Sequence, residues 1–493
     1  MQTSSRRPLA VALALLCCLS MMTPVVAAPD PAAPSDELAT LDGSTTTGGM
    51  ATPDGDAHPC TGTVAEPANG TTVISVQGMR FGEDGGKRPA KLVGVGPEGE
   101  VQWVHQMAEK YDVRWGYDVD PLPNGNLFVT AELRDEHSLF YEFNPRTQET
   151  VWAKRLPIAD THDADLIDGG EAILVANMRN YNESAERNDD RLFVYNRTTE
   201  EIEWEWRFDD HYDPAELEEN YTDDWTHVND VDEIGDGLYL ASPRNFDQAI
   251  VVNRSTDEIE MKLGEDENYD VLNQQHNPDY LESENGTPTL LVGDSENDRI
   301  AEYANPDGDL TNGTGWERTW TLEGDLAWPR DADRLPNGNT LVTDSANDRV
   351  IEVTPEGEVV WEAYSPWLVY DAARVSVPGE HATGPTATDM NATGTYEVNG
   401  SERLHENDTR LEQCDAVLQN VSGWVEGEQP ATDDETDEGA MGGDSGTDET
   451  SDNDAGSDDG NTDDSASIPG FGVGTAVAGL LVGLTLLVRR TNT

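Results

Sequence analysis

The chain is predicted to be all-β: a six-bladed β-propeller with a signal peptide, a disordered acidic stalk and a C-terminal transmembrane or sorting helix. Three observations predict it. Six imperfect repeats recur along the middle of the chain. An apolar leader opens it, and an acidic tract followed by an apolar run closes it.

Each repeat pairs two elements. The first is a turn, an acidic residue, an apolar residue and Trp, as in Glu100-Val101-Gln102-Trp103. It returns at Trp152, at Trp204, with Met261 in the Trp position, in a degraded copy near Trp320, and at Trp361. The second element is Asp118-Val119-Asp120, then Asp163-Ala164-Asp165, Asp230-Val231-Asp232, Asn277-Pro278-Asp279, Asp331-Ala332-Asp333 and a remnant at Asp371. Gly/Asn turns and β-rich runs follow, as in Asn124-Gly125-Asn126-Leu127-Phe128-Val129. Short alternating strands between such turns are sheet signals, and a period of about 40 to 65 residues holds four strands. The Trp stripe reads as packing between blades. The Asp371 strand lacks a complete repeat after it, and Val73 to Trp103 lacks an Asp-x-Asp strand before it. Together they are expected to form one blade, closing the ring across the chain ends and removing free edges.

The leader carries Arg6-Arg7, an apolar run from Leu9 to Ala28 and small residues at Ala27-Ala28, an export signal. Ser5-Arg6-Arg7-Pro8-Leu9 resembles a twin-arginine signal. The 493 residues include 98 Asp+Glu and 30 Lys+Arg, a net charge of -68. Self-repulsion of that size destabilises a compact chain in dilute salt. In molar salt the screening length falls to about 3 Å. The charge therefore predicts a halophile protein, and it excludes nucleic acid as a partner, because no basic patch meets phosphates. About eleven Asn-x-Ser/Thr sequons between Asn69 and Asn420 fit a glycosylated exterior protein. Cys17 and Cys18 leave with the leader, so Cys60 and Cys414 are expected to pair and pin the ring seam.

The tract from Thr432 to Ser467 has almost no apolar residue and reads as an extended, self-repelling stalk. Ile468-Pro469-Gly470-Phe471, an apolar stretch to Val488 and Arg489-Arg490 follow. This order resembles the Pro-Gly-Phe sorting signal of halophilic archaea. The resemblance implies an archaeosortase-type processing enzyme as partner and a lipid anchor replacing the tail. The expected organisation is signal peptide 1–28, acidic lead-in 29–72, propeller 73–378, a segment 379–425 carrying Cys414, stalk 426–467 and sorting signal with transmembrane helix 468–490. The protein is expected at the cell surface, anchored to the membrane by its C-terminus.

The residue before each Asp-x-Asp should stand near one mouth of the channel. In order these are Tyr117, His162, Asn229 with His227, His276, Arg330 and Tyr370. Three of the nine histidines thus fall at equivalent places in consecutive repeats. Arg grips oxyanions through two N–H groups, imidazole attacks or shuttles protons, and Tyr stacks on rings. Such a ring suits a small aromatic anion. The bland alternative is polar channel lining with ordered water. The Asp-x-Asp pairs are expected to cap turn N–H groups, and no spacing matches a known metal site.

At Thr161-His162-Asp163-Ala164-Asp165, Asp224-Trp225-Thr226-His227-Val228-Asn229, Ser242-Pro243-Arg244, Gln274-Gln275-His276 and Leu291-Val292-Gly293-Asp294-Ser295 the chain resembles the arylsulfotransferase family. The resemblance covers about residues 73 to 376. It implies a six-bladed propeller moving a sulfuryl group from an aryl sulfate to a phenolic acceptor through a sulfohistidine, with no cofactor. By position it implies His276 as nucleophile, His227 and Arg244 on the sulfate oxygens, and His162 as sulfuryl ligand or general acid. Tyr117, Arg330, Tyr370 and Asn229 are the expected substrate-binding residues. Asp230, where a small residue is usual, and Pro243 depart from the family pattern. Two alternatives stay open: a non-catalytic surface propeller that binds a glycan, a protein or a small anion, and a quinone-dependent dehydrogenase.

Overall fold

The computed structural model describes residues 58–80, 85–306, 310, 315–377 and 384–430. The expected signal peptide, sorting signal and nearly all of the stalk lie outside the described residues. Among the described residues no helix is long and apolar enough to cross a membrane.

Six antiparallel four-stranded sheets form a propeller. Blade I takes its first strand, Val369–Arg374, from the end of the ring and its other three, Thr72–Val76, Lys91–Val95 and Val101–His105, from the beginning. The seam is thus the pairing of Val73 with Ala373 and its neighbours, as the repeat phase predicts. Blade II runs from Val113–Pro121 to Glu149–Leu156, and blade III from Ala164–Ile167 to Glu201–Arg207. Blade IV runs from Val228–Gly235 to Glu258–Gly264, blade V from His276–Glu282 to Glu317–Glu323, and blade VI from Pro329–Arg334 to Val359–Tyr364.

Three blades gain a fifth strand from outside the repeats. Thr61–Val64, inside the acidic lead-in, pairs with blade VI. Gly394–Glu397 adds in parallel to blade V, and Gly423–Trp424 adds to blade I. These additions cover outer edges that would otherwise expose unpaired backbone. The helix Asp408–Asn420 carries Cys414 to Cys60, and the two form the expected disulfide.

The Trp element packs blade against blade. Trp103, Trp320 and Trp361 are buried, as is Met261. Trp320 donates to the Pro355 carbonyl and Trp361 to the Pro97 carbonyl, each in the next blade. Blades II and III differ: Trp152 is half-buried and donates to Glu142 of its own blade, and beside a half-buried Trp204 the interior place goes to Trp206, which donates to the Asp257 carbonyl of blade IV.

First strands of neighbouring blades touch around the axis. Their aspartates cap backbone N–H groups, but across blades rather than in turns. Val231 N donates to Asp163, Glu233 N to Asp165, and Val119 N of blade II to Asp371 of blade I. The reason is geometric: at the axis the nearest unpaired N–H belongs to the adjoining first strand.

Candidate active site

Antiparallel pairing puts the exit of each second strand beside the entry of the first. Val228 pairs with Pro243, and His276 with Gly293. The entries carry His227 and His276, and the exits carry Arg244 and Ser295. At that end of the channel a cavity of about 600 Å³ opens, lined by Tyr117, His162, His227, Arg244, His276 and Arg330 among others. Six of the eight expected catalytic and binding residues thus share one cavity. The other two lie beneath it. Tyr370 packs edge-on against Tyr117 and His162 and under the Arg330 guanidinium. Asn229 is buried and donates to the Gln275 carbonyl.

The backbone at these positions is unusual. Asp160, Arg179, His227, Gln274, Asn277 and Trp328 all have positive φ. A side chain there costs on the order of 1 to 3 kcal/mol, a strain that clusters at functional sites. Gly293 is required by close approach, since a Cβ would stand 2.8 Å from the Arg330 carbonyl oxygen.

The resemblance blocks hold one another. Arg244 donates to Asn245 and to Gln274 Oε1, Asn245 donates to the Asp224 carbonyl, and Gln275 donates to Ser242 Oγ. Arg330 lies over Trp328 and donates to Gln77 Oε1. Burial pushes Arg330 down to about 10, so it stays cationic at neutral pH. Both arginines have amide partners and each keeps a buried Nε without one. Guanidinium groups held this way have unspent capacity for an anion.

Each histidine is anchored through one nitrogen, and the anchors differ. His276 Nδ1 lies 2.8 Å from Ser295 Oγ, which donates to the Pro329 carbonyl at 2.7 Å. A carbonyl only accepts, so the hydroxyl proton goes to it and Nδ1–H donates to Oγ. His276 Nε2, on the far edge of the ring, then keeps its lone pair. His227 Nδ1 meets Asp224 Oδ1 at 2.9 Å. His162 Nε2 lies 3.4 Å from Asp160 Oδ1, and its Nδ1 is without a partner. Burial lowers all three, His227 to about 4 and His276 well below 6.5, where Arg330 and Arg244 add to the effect.

Sequence reasoning missed the anchors. Asp160 accepts from Tyr117 Oη at 2.5 Å and from Arg179 Nε at 2.8 Å. Glu132, pushed up to about 8 by burial and then by Asp160, is its neutral neighbour. Arg179 had a signal: Arg179-Asn180 follows the second strand of blade III as Arg244-Asn245 follows that of blade IV. Among the described residues no group of three His, Cys, Asp or Glu is placed to hold a metal ion.

Residues 79–290 match the Arylsulfotransferase (ASST) family model.

The arylsulfotransferase match contains His162, His227, Arg244 and His276, and it ends before Ser295 and Arg330. With the six-bladed architecture it supports that family and, in general terms, a sulfotransferase function. No curated protein matches the chain significantly. Solved structures similar to it include a protein of unknown function from Bacteroides caccae, at 12% identity and TM-score 0.40, covering 66% of this chain and 98% of that one. A catalytically inactive virginiamycin B lyase from Staphylococcus aureus with quinupristin is 9% identical at TM-score 0.35, covering 59% and 84%. A streptogramin B lyase is 11% identical at TM-score 0.32, covering 51% and 69%.

Proposed function

We propose that the protein transfers a sulfuryl group from an aryl sulfate to a phenolic acceptor through a sulfohistidine at His276. The observation that carries this is the difference between the three anchors. Asp160 and Asp224 are carboxylates, so each stabilises an imidazolium on its histidine. Ser295 is neutral and cannot. Burial disfavours the charged form of all three rings, but a proton taken up during the cycle is favoured on His162 or His227, beside their carboxylates, and not on His276, which stays nucleophilic.

In the first half-reaction His276 Nε2 attacks the sulfur, the bond from sulfur to the aryl oxygen breaks, and its electron pair leaves on the phenolate. Arg244 and Arg330 face the charge that builds on the sulfuryl oxygens. His227, held through Nδ1 by Asp224, faces the same oxygens and becomes a donor to them only when it takes up a proton. In the second half-reaction the acceptor hydroxyl attacks the sulfur, the N–S bond breaks and returns its pair to His276, and His162 takes the hydroxyl proton. A donor phenolate too basic to leave bare takes that proton in the next cycle. Trp115, Tyr117 and Trp328 on the cavity wall suit aromatic rings.

The test is intact mass after exposure to a nitrophenyl sulfate in molar salt. The reading expects one added sulfuryl group on the parent, none on His276→Ala, and loss of the adduct when a phenol is added. No adduct and no phenol release across several donors would overturn it in favour of a binding propeller.

We also infer export and attachment at the cell surface through the C-terminus. The Arg6-Arg7 leader, the acidic stalk and the Pro469-Gly470-Phe471 run before apolar residues support this. Truncation after Ser467 should release the protein into the medium. Truncated protein that stays with the cells would count against the anchor.

A further inference from the structure

Arg179 touches both carboxylates that anchor His162 and His227. Its Nε lies 2.8 Å from Asp160 Oδ2 and 3.1 Å from Asp224 Oδ1. Asp160 comes from the connection between blades II and III, and Asp224 from that between blades III and IV. One guanidinium from the exit of a blade III strand therefore ties two loops and two Asp–His pairs together. The His162 and His227 rings are 5.2 Å apart, edge to face. A proton on one repels a proton on the other across that distance.

We propose that Arg179 is a positioning residue: by bridging Asp160 and Asp224 it fixes the orientation of His162 and His227 and couples their protonation. The proposal rests on the sulfuryl-transfer reading of the same cavity. Its physics is a shared counter-ion. Each carboxylate would otherwise lend its full charge to its own imidazole and favour the protonated ring. Arg179 takes part of that charge, so each ring gives up its proton more readily. Other groups act on the same rings. His162 also faces Arg330, Tyr117 and Tyr370. His227 also faces Arg244 and His162, and Glu132 stands beside Asp160. None of these reaches both carboxylates. Against an outward-facing structural ion pair stands the location: Arg179, Asp160, His162 and His227 all line the cavity.

The experiment uses the full chain in molar salt, with histidine side chains isotopically labelled. Imidazole titrations are followed by nuclear magnetic resonance in the parent, Arg179→Gln and Arg179→Lys. His162→Gln and His227→Gln assign the two signals. In Arg179→Gln both titrations should move upward by about one pH unit, the lower end of the effect of a close charge. The acid limb of kcat/KM for the phenol acceptor should move with them, since His162 must be unprotonated to take the hydroxyl proton. Arg179→Lys keeps one charge but loses the planar fork, and should recover part of both shifts. A purely structural Arg179 predicts a lower Tm with both titrations and the limb unmoved, and that result overturns the proposal. If Arg179→Gln does not fold, Arg179→Lys decides on the same readings: a partial upward shift supports the proposal, and none overturns it. Shifted titrations in a protein that shows no turnover with any donor would uphold the coupling and sink the sulfotransferase reading instead.

Discussion

His276 donates from Nδ1 to Ser295 Oγ at 2.8 Å, and the Pro329 carbonyl fixes the direction of that bond. The serine thereby decides which nitrogen of the ring is nucleophilic. Ser295→Ala should leave the fold intact and lower the sulfuryl-transfer rate by about 10- to 100-fold, the effect of a lost buried hydrogen bond of roughly 1 to 3 kcal/mol. Ser295→Thr, which keeps the hydroxyl, should recover most of it. Single-turnover release of nitrophenol reads the step, and equal rates in all three proteins would remove the serine from the mechanism.

The acid limb of the donor reaction should lie lower than an ordinary histidine allows. Sequence alone places the loss of activity near pH 6.5. Burial, then the charges of Arg330 and Arg244, hold His276 well below that. The ring stays unprotonated as pH falls through 6.5, so kcat/KM for a nitrophenyl sulfate should be flat there and fall only at more acid pH. A limb centred at 6.5 would contradict this account of the nucleophile.

The Cys60–Cys414 bridge spans 354 residues and joins the strand added to blade VI with the helix that precedes the strand added to blade I. Its removal by Cys60→Ala with Cys414→Ala should cost on the order of 5 kcal/mol in the chain-entropy model, and less if the reduced chain keeps structure. Thermal unfolding of that double variant checks it. A Tm within a degree of the parent would mean that the seam is held by its strands alone.

The aspartates along the axis invert the usual pH rule for carboxylates. Burial and mutual repulsion hold Asp118, Asp120, Asp163, Asp230, Asp331 and Asp333 well above the ordinary range, and burial, opposed by hydrogen bonds, holds Asp371 at about 7. Unfolded, these groups lose protons near 4. Their stabilising contribution is therefore complete below about pH 4 and is lost as pH rises through the folded values. Both oxygens of Asp120 are buried without a partner. Asp120→Asn, which has no proton to lose, should gain in Tm relative to the parent as pH rises from 5 to 8. A difference that stays constant over that range would show Asp120 ionised and paired.

Much of the fold was legible in one dimension because a propeller writes its blades in order. The Trp element and the Asp-x-Asp element recur once per blade, and their phase predicted both the seam and the place of His162, His227 and His276. The added strands Thr61–Val64, Gly394–Glu397 and Gly423–Trp424 were not legible. They belong to no repeat, and an edge strand is defined by the neighbour it finds.

The site divides the same way. His276, His227, Arg244 and His162 stand in motifs and are visible without coordinates. Ser295 stands in one too, but its role is not visible, because Asp294-Ser295-Glu296-Asn297-Asp298-Arg299 in blade V repeats as Asp344-Ser345-Ala346-Asn347-Asp348-Arg349 in blade VI. In both, the aspartate binds the arginine and the serine follows a second strand. Local sequence makes Ser295 and Ser345 equals, yet only Ser295 has a histidine at the entry of the strand beside it. The sequence alone determined the number of blades, the order in which they close and the residue types at the channel mouth, since each depends on spacing along the chain. Tertiary structure alone decided which nitrogen each histidine offers and which carboxylates Arg179 joins, since a hydrogen bond of about 3 Å depends on how side chains are turned and packed, which spacing along the chain does not record.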